Sequence, residues 1–141
     1  MKKDSIEMVP IGFVARASDN VKDKMISKIV VKKEFAKALD GIEDFSHVHI
    51  IFWLHNISNE RPLTLTFENL PVGVFATRTP VHPNPLGLTL VELVTRKENV
   101  LWVKGLDADD GTPVLDIKPY PDWARGLTVV TDFRIPQWYR T

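Results

Sequence analysis

The sequence lacks several residue types and patterns that would assign a function directly. Its 141 residues include no cysteine, which excludes disulfides, thiolate metal sites and a cysteine nucleophile. No two of its seven glycines form a G-x-G, so the glycine fingerprints of dinucleotide-binding and P-loop proteins are both absent. Nucleotide binding through either of these loops is therefore excluded.

The sequence also lacks a charge surplus and a long apolar run. Lys and Arg together number 18, as do Asp and Glu, so the net charge is zero, whereas proteins that grip nucleic acid usually carry a basic surplus or patch. Residues 1–40 hold nine basic and six acidic side chains, which we interpret as a solvated face. No apolar run follows the opening MKKDSIEMVP, and no stretch approaches the roughly 20 apolar residues that span a bilayer. We therefore expect a cytoplasmic protein.

What the sequence does contain is a regular series of short, β-branched runs separated by turn residues. This pattern predicts an all-β fold, an antiparallel barrel or sandwich. Residues 34–45 have the only helical pattern, which Gly41 interrupts within about two turns. We expect one domain, since the length is typical of one. The predicted strands are 11–16, 28–33, 47–55, 63–67, 72–78, 87–94, 100–106 and 113–119.

The run HVHIIFWLH at 47–55 predicts a strand with two different faces. Val48, Ile50, Phe52 and Leu54 should point one way, and the three histidines should share the other face with Ile51 and Trp53. Paired imidazoles on one face could ligate a metal, but no third ligand is evident, so we predict no metal site. The acidic turn DADDG at 107–111 resembles a calcium loop only superficially, because Lys118 stands where the bidentate glutamate is needed.

The segment FATRTPVHPNPLGLTL at 75–90 concentrates rigid, turn-forming residues. Pro80, Pro83 and Pro85 fix three φ angles and push the residues before them into extended conformations. Gly87 permits either a close backbone approach or a positive φ. Arg78 offers a planar fork that suits a carboxylate, a phosphate or an aromatic face. The segment is either an elaborate turn or a wall shaped in advance for a ligand.

The segment DGTPVLDIKPY at 110–120 is the second informative stretch. Asp110 and Gly111 predict a turn, and the polar residues that follow alternate along a strand. Asp116 and Lys118 are two residues apart and therefore share a face, where they can form an ion pair.

These segments, together with FSHVHIIFWLH upstream, resemble the TsaA/TrmO-like family over about residues 8–121. The resemblance implies a β-barrel, S-adenosylmethionine as cofactor, a homodimer, and methylation of the exocyclic nitrogen of threonylcarbamoyl-adenosine beside the tRNA anticodon. Residues 1–121 would form the barrel domain. The aromatic tail, 122–141, would pack on the barrel or on the second subunit.

The resemblance also implies a site, residue by residue. The base that helps the acceptor nitrogen would be Asp116 or Tyr120. Three departures from the family pattern stand out: His82 replaces a second arginine, Leu54 replaces an aromatic residue, and no Pro-Arg-Gln segment is evident at 18–24. The cofactor-binding residues would be Leu54, His55, Arg78, Pro83, Asn84, Pro85, Gly87, Leu88, Asp110, Gly111, Thr112 and Pro113.

Two alternatives stay open. The first is an S-adenosylmethionine-binding module, or a methyltransferase that acts on a small molecule. It is favoured by the zero net charge, by His82 and by the absence of the carboxyl-terminal extension of longer members. The intact 110–120 segment and the basic 22–37 segment favour the tRNA enzyme. An interaction domain without a ligand would leave the rigid loop unexplained.

Overall fold

The computed structural model describes residues 4–16, 25–121 and 130–140. They form two compact units. The barrel unit comprises residues 1–55 and 86–120, and the second unit comprises residues 56–85 and 121–141. Within the described ranges, no helix has the length and hydropathy that a bilayer span requires. The predicted boundary at residue 121, and the packing of the tail on the barrel or on another subunit, stay predictions.

Six antiparallel strands close the barrel of the first unit, in the order β1-β2-β7-β6-β3-β8. The closing contact is between β8 and β1, which pair Val114 with Gly12. The all-β barrel predicted from the sequence is therefore confirmed, and closure removes the open edges that a sandwich would leave. The strands of this unit are β1 (Gly12–Arg16), β2 (Ile26–Val31), β3 (His47–Trp53), β6 (Leu86–Lys97), β7 (Val100–Lys104) and β8 (Pro113–Pro119).

Alternate residues of the barrel strands fill its core. On β3, Val48 and Ile50 are fully buried and Phe52 is 3% exposed, so the predicted apolar face of this strand is confirmed. Leu54 lies just beyond the strand and packs against the same core while only half-buried. Other strands contribute Val14, Ile29, Val31, Val91, Leu101, Val103 and Val114.

The predicted helical segment forms two short 3-10 helices, Lys33–Leu39 and Ile42–Asp44. Gly41 between them has φ of 92°, a conformation that suits glycine, and this is why the helix stops there. Arg96 of β6 holds both pieces: its Nη1 donates to the carbonyl of Leu39 at 3.1 Å, and it forms ion pairs with Asp40 and Glu43 at 3.3 Å.

The second unit contains a β-hairpin of β4 (Thr64–Phe67) and β5 (Leu70–Gly73). Glu68 and Asn69 at its turn both have positive φ, the geometry of the turn that matches strand twist in a two-residue hairpin loop. The predicted strand at 72–78 is wrong beyond Gly73, because Val74–Ala76 form a 3-10 turn instead. This turn buries Val74 and redirects the chain into the proline-rich loop.

Candidate functional site

The proline-rich loop of the second unit is held by hydrogen bonds within its own residues. The hydroxyl of buried Thr77 donates to the carbonyl of Val74 at 2.7 Å. The Nε2–H of His82 donates to the carbonyl of Thr77 at 3.0 Å and so closes the loop across five residues. Thr79 lies against Thr77, with 2.8 Å between their hydroxyl oxygens. His82, at the position where the resemblance implied an arginine, therefore stabilises the loop.

The loop presents its predicted ligand residues in two ways. Pro83 and Asn84 are exposed, whereas Pro85 is fully buried, so Pro85 anchors the loop and the two residues before it face solvent. Arg78 is also exposed. A cavity of about 200 Å³ adjoins it, lined by Phe67, Thr77, Arg78, Thr79, Trp138 and Tyr139.

Five of these six lining residues were not predicted as site residues: Thr77 and Thr79 of the loop itself, and three aromatic residues. Phe67 belongs to β4, and Trp138 and Tyr139 belong to the 3-10 helix Gln137–Arg140. The only signal in the sequence was the aromatic content of the tail, which says nothing of where the tail lies. Trp123 of the tail, the basic residues Lys22 and Lys24, and the 18–24 segment lie outside the described residues.

Gly87 of β6 occupies a position where no side chain fits. It pairs with Phe52 of β3, and a β-carbon added to Gly87 would fall on the Phe52 ring. Of the two explanations that the sequence left open for Gly87, the close approach is therefore the one observed, since its φ is not positive. Leu88 follows on the outer face of β6 and is 48% exposed, and His55 is exposed just beyond β3.

The predicted Asp-Gly turn is present and is tied to β1 of the barrel. Gly111 has φ of 83°, and its N–H donates to the carbonyl of Val14 at 2.7 Å. The carboxylate of Asp110 accepts the backbone N–H of Arg16 at 3.0 Å. Thr112 is buried, with its hydroxyl donating to the carbonyl of Asp109 at 2.6 Å. The turn up to Pro113 is thus fixed before any ligand binds.

Of the two candidate bases, Asp116 lies in the middle of β8 and Tyr120 directly follows its last residue. Asp116 forms the predicted ion pair with Lys118, at 3.1 Å, and its other carboxylate oxygen accepts the N–H of Ile117 at 2.9 Å. Both oxygens are therefore occupied. The ring of Tyr120 lies 5.8 Å from that of His49, and the backbone N–H of Tyr120 donates to His47.

The histidines of β3 do not gather into a metal site. His47 bonds to the hydroxyl of Ser46 at 2.8 Å, and Nδ1 of His49 is buried without a partner among the described residues. In that same part of the chain, no three His, Cys, Asp or Glu side chains are grouped to hold a metal ion.

Comparison with known proteins decides the family. The sequence model of the tRNA-methyltransferase O N-terminal domain matches residues 15–124. The chain belongs to this family. The match contains β2 to β8 of the barrel, the proline-rich loop and the 110–120 segment, so the motifs that resembled the family lie within the matched region. It ends before the described part of the tail, which begins at residue 130.

Individual members of the family bear different names. The chain is 47% identical over 95 residues to a probable S-adenosyl-L-methionine-binding protein of Methanothermobacter thermautotrophicus, covering 67% of this chain and 69% of that protein. It is 45% identical over 102 residues to the tRNA (adenine(37)-N6)-methyltransferase of Escherichia coli, covering 65% of this chain and 43% of that enzyme. The chain thus spans less than half of the Escherichia coli enzyme.

A solved structure of TrmO from Pseudomonas aeruginosa shares the fold. It superposes with a TM-score of 0.71 at 31% identity, covering 92% of this chain and 61% of that one. The chain therefore spans about three fifths of this structural relative.

Proposed function

We propose that this protein is an S-adenosylmethionine-dependent methyltransferase whose acceptor is the exocyclic nitrogen of threonylcarbamoyl-adenosine beside the anticodon of tRNA. The observation that carries the proposal is the pre-formed proline-rich loop, which holds Arg78 exposed through hydrogen bonds of Thr77 and His82. A loop ordered before binding loses little conformational freedom when the ligand arrives. Family membership supports S-adenosylmethionine as that ligand.

The reaction moves a methyl group from the sulfonium of the cofactor to the acceptor nitrogen. When bound, S-adenosylmethionine would supply the methyl group and leave as S-adenosylhomocysteine, while Asp116 or Tyr120 would accept the proton that the acceptor nitrogen loses. Alignment of donor and acceptor supplies much of such a rate enhancement. Arg78 would bind the methionine carboxylate through its planar fork.

Mass spectrometry of bulk tRNA tests this function. The methylated threonylcarbamoyl nucleoside should disappear from a strain that lacks the gene and return when the purified protein and S-adenosylmethionine are added to that tRNA. Unchanged nucleoside levels in the deletion strain would remove tRNA as the substrate. Zero net charge and the relatives named only for binding the cofactor would then favour a binding module or a small-molecule enzyme.

A charge exchange separates the two candidate bases. We expect the double variant Asp116→Lys with Lys118→Asp to keep methylation within about threefold of wild type. The reason is that the side chains are 48% and 64% exposed, and exchange preserves an exposed ion pair of small energy. Rates would be measured with saturating cofactor, and Asp116→Lys alone is the control for the broken pair. Retention of activity leaves Tyr120 as the base, whereas loss of activity in the double variant would assign that role to Asp116.

A homodimer is part of the proposal, and the outer face of the barrel unit supports it. Leu86, Leu88 and Leu90 of β6 are 42%, 48% and 43% exposed, and Trp53, which pairs with Leu86 across the sheet, is 36% exposed. A contiguous apolar stripe of this kind marks an interaction surface. Sedimentation equilibrium at micromolar concentration should give twice the chain mass of 16.1 kDa, and a monomer would contradict the dimer.

A further inference from the structure

The cavity beside Arg78 contains a set of groups that the cofactor motifs do not explain. It is built entirely from the second unit, and three of its six lining residues are aromatic. Its volume of about 200 Å³ is several times the roughly 30 Å³ that one water molecule occupies. The cavity is therefore of a size for a ring rather than for an ordered water.

The aromatic rings form a continuous wall. Phe67 and Trp138 are stacked, with ring centroids 5.2 Å apart and planes inclined by 28°. Tyr139 continues the wall, with its ring centroid 5.7 Å from that of Trp138. Trp138 is only half-buried and Tyr139 is 39% exposed, so π-faces of the wall stay accessible to a ligand.

Polar groups also line the cavity. The hydroxyl groups of Thr79 and Thr77 are hydrogen-bonded to each other. The hydroxyl proton of Thr77 is already donated to the carbonyl of Val74. Thr79 is therefore the donor in that pair, and its oxygen keeps lone pairs that can accept an N–H from a ligand. The guanidinium of Arg78 adds positive charge at the same cavity. A cavity lined by aromatic rings, a hydroxyl acceptor and a cation suits a planar heterocycle with an amino group near an anion.

The position of the wall in the sequence argues against the cofactor as its occupant. Trp138 and Tyr139 lie outside residues 15–124, the region matched by the family. A cofactor common to the family is expected to be bound within that region, whereas a substrate subsite need not lie within it. We propose that this cavity binds an unpaired nucleobase of the RNA substrate, stacked on Trp138 and in contact with Tyr139, with its exocyclic amine toward Thr79. This inference rests on the proposed function.

The test measures RNA and cofactor binding separately. The probe is a fluorescein-labelled 17-nucleotide RNA hairpin with a seven-nucleotide loop, followed by fluorescence anisotropy at fixed salt, since nucleic-acid affinity depends on salt. Trp138→Ala should weaken hairpin binding about 5- to 100-fold, because stacking of one base on an aromatic ring is worth about 1–3 kcal/mol. Trp138→Phe should restore most of the affinity. Calorimetry should show S-adenosylmethionine affinity unchanged in both variants.

Two further variants test whether a loss of hairpin binding comes from misfolding or from the loss of any aromatic residue of the tail. Phe133→Ala removes an exposed tail aromatic that does not line the cavity and should leave hairpin binding unchanged. Tyr139→Ala keeps the stacked pair of Phe67 and Trp138 and should still weaken binding, so it decides the question if Trp138→Ala does not fold.

Each result is informative. The inference would be overturned if the wild-type protein did not bind the hairpin. It would also be overturned if the alanine variants bound the hairpin as tightly as wild type. So would a loss of cofactor affinity in place of RNA affinity, which would assign the cavity to S-adenosylmethionine. Failure of the proposed function can be distinguished from failure of this inference. In that case the protein would not methylate tRNA, but its binding to the hairpin would still depend on Trp138.

Discussion

Arg78→Ala is expected to weaken S-adenosylmethionine binding about 10- to 100-fold. Wild-type affinity should be micromolar, about −8 kcal/mol, and a hydrogen bond to a charged group contributes about 1.5–3 kcal/mol. The loop that carries Arg78 is fixed by bonds from Thr77 and His82, so the substitution should remove the guanidinium without reshaping the loop. Isothermal titration calorimetry on the two proteins measures the change.

Two further variants test whether the loss of cofactor affinity is specific to the guanidinium of Arg78. Arg61→Ala removes the same charge from the same unit, and we expect wild-type affinity. Among the residues that the structure describes, its guanidinium donates only to the neighbouring carbonyls of Ser58 and Glu60. Arg78→Lys keeps the charge and loses the planar fork, so its affinity should be intermediate. Equal affinities for Arg78→Ala and wild type would show that the cofactor does not use Arg78 and would remove our assignment of the methionine carboxylate.

Gly87→Ala is expected to lower the free energy of unfolding by about 1–3 kcal/mol, the usual cost of overpacking a core. The added methyl group would fall on the ring of Phe52, which is 3% exposed and packed in the barrel core, so the ring cannot move aside freely. The melting temperature should fall by about 2–4 °C for each kcal/mol in a chain of this size. Urea denaturation followed by circular dichroism gives the free energy.

Gly73→Ala is the matched control for this substitution. Nothing lies within 4 Å of a β-carbon at Gly73, and its φ of −63° is one that alanine adopts readily. We expect unchanged or slightly raised stability, because alanine reduces the freedom of the unfolded chain. Adding Phe52→Leu to Gly87→Ala should recover part of the loss. If Gly87→Ala were as stable as Gly73→Ala, the close packing against Phe52 would not be the reason for glycine at position 87.

Local patterns predicted much of the fold. Alternation along 47–53 defined the buried face of β3, because successive side chains in a strand point to opposite sides whatever the neighbouring strands are. The Asp110–Gly111 turn and the ion pair of Asp116 with Lys118 were predictable for the same reason, since each depends on residues next to or two apart from one another. The strand predicted at 72–78 failed because burial of Val74 in a turn overrides its β-propensity.

Local patterns say nothing of which distant residues meet. In the sequence, His82 stands out only because it replaces an arginine of the family pattern. Only the folded loop shows its bond to Thr77. Arg96 has no motif around it, yet it joins β6 to Asp40, 56 residues away. No spacing rule connects Trp138 to Arg78 either, although they line one cavity.

By itself the sequence determined the all-β class, the rigidity of the proline-rich loop and the membership of a family, because each is written in neighbouring residues or in ordered motifs. Only the tertiary structure decided that β8 closes the barrel onto β1, that Gly87 makes room for Phe52, and that tail aromatics stand beside Arg78. These are contacts between residues far apart in the chain, and their free energy comes from packing and burial that exist only once the whole chain has folded.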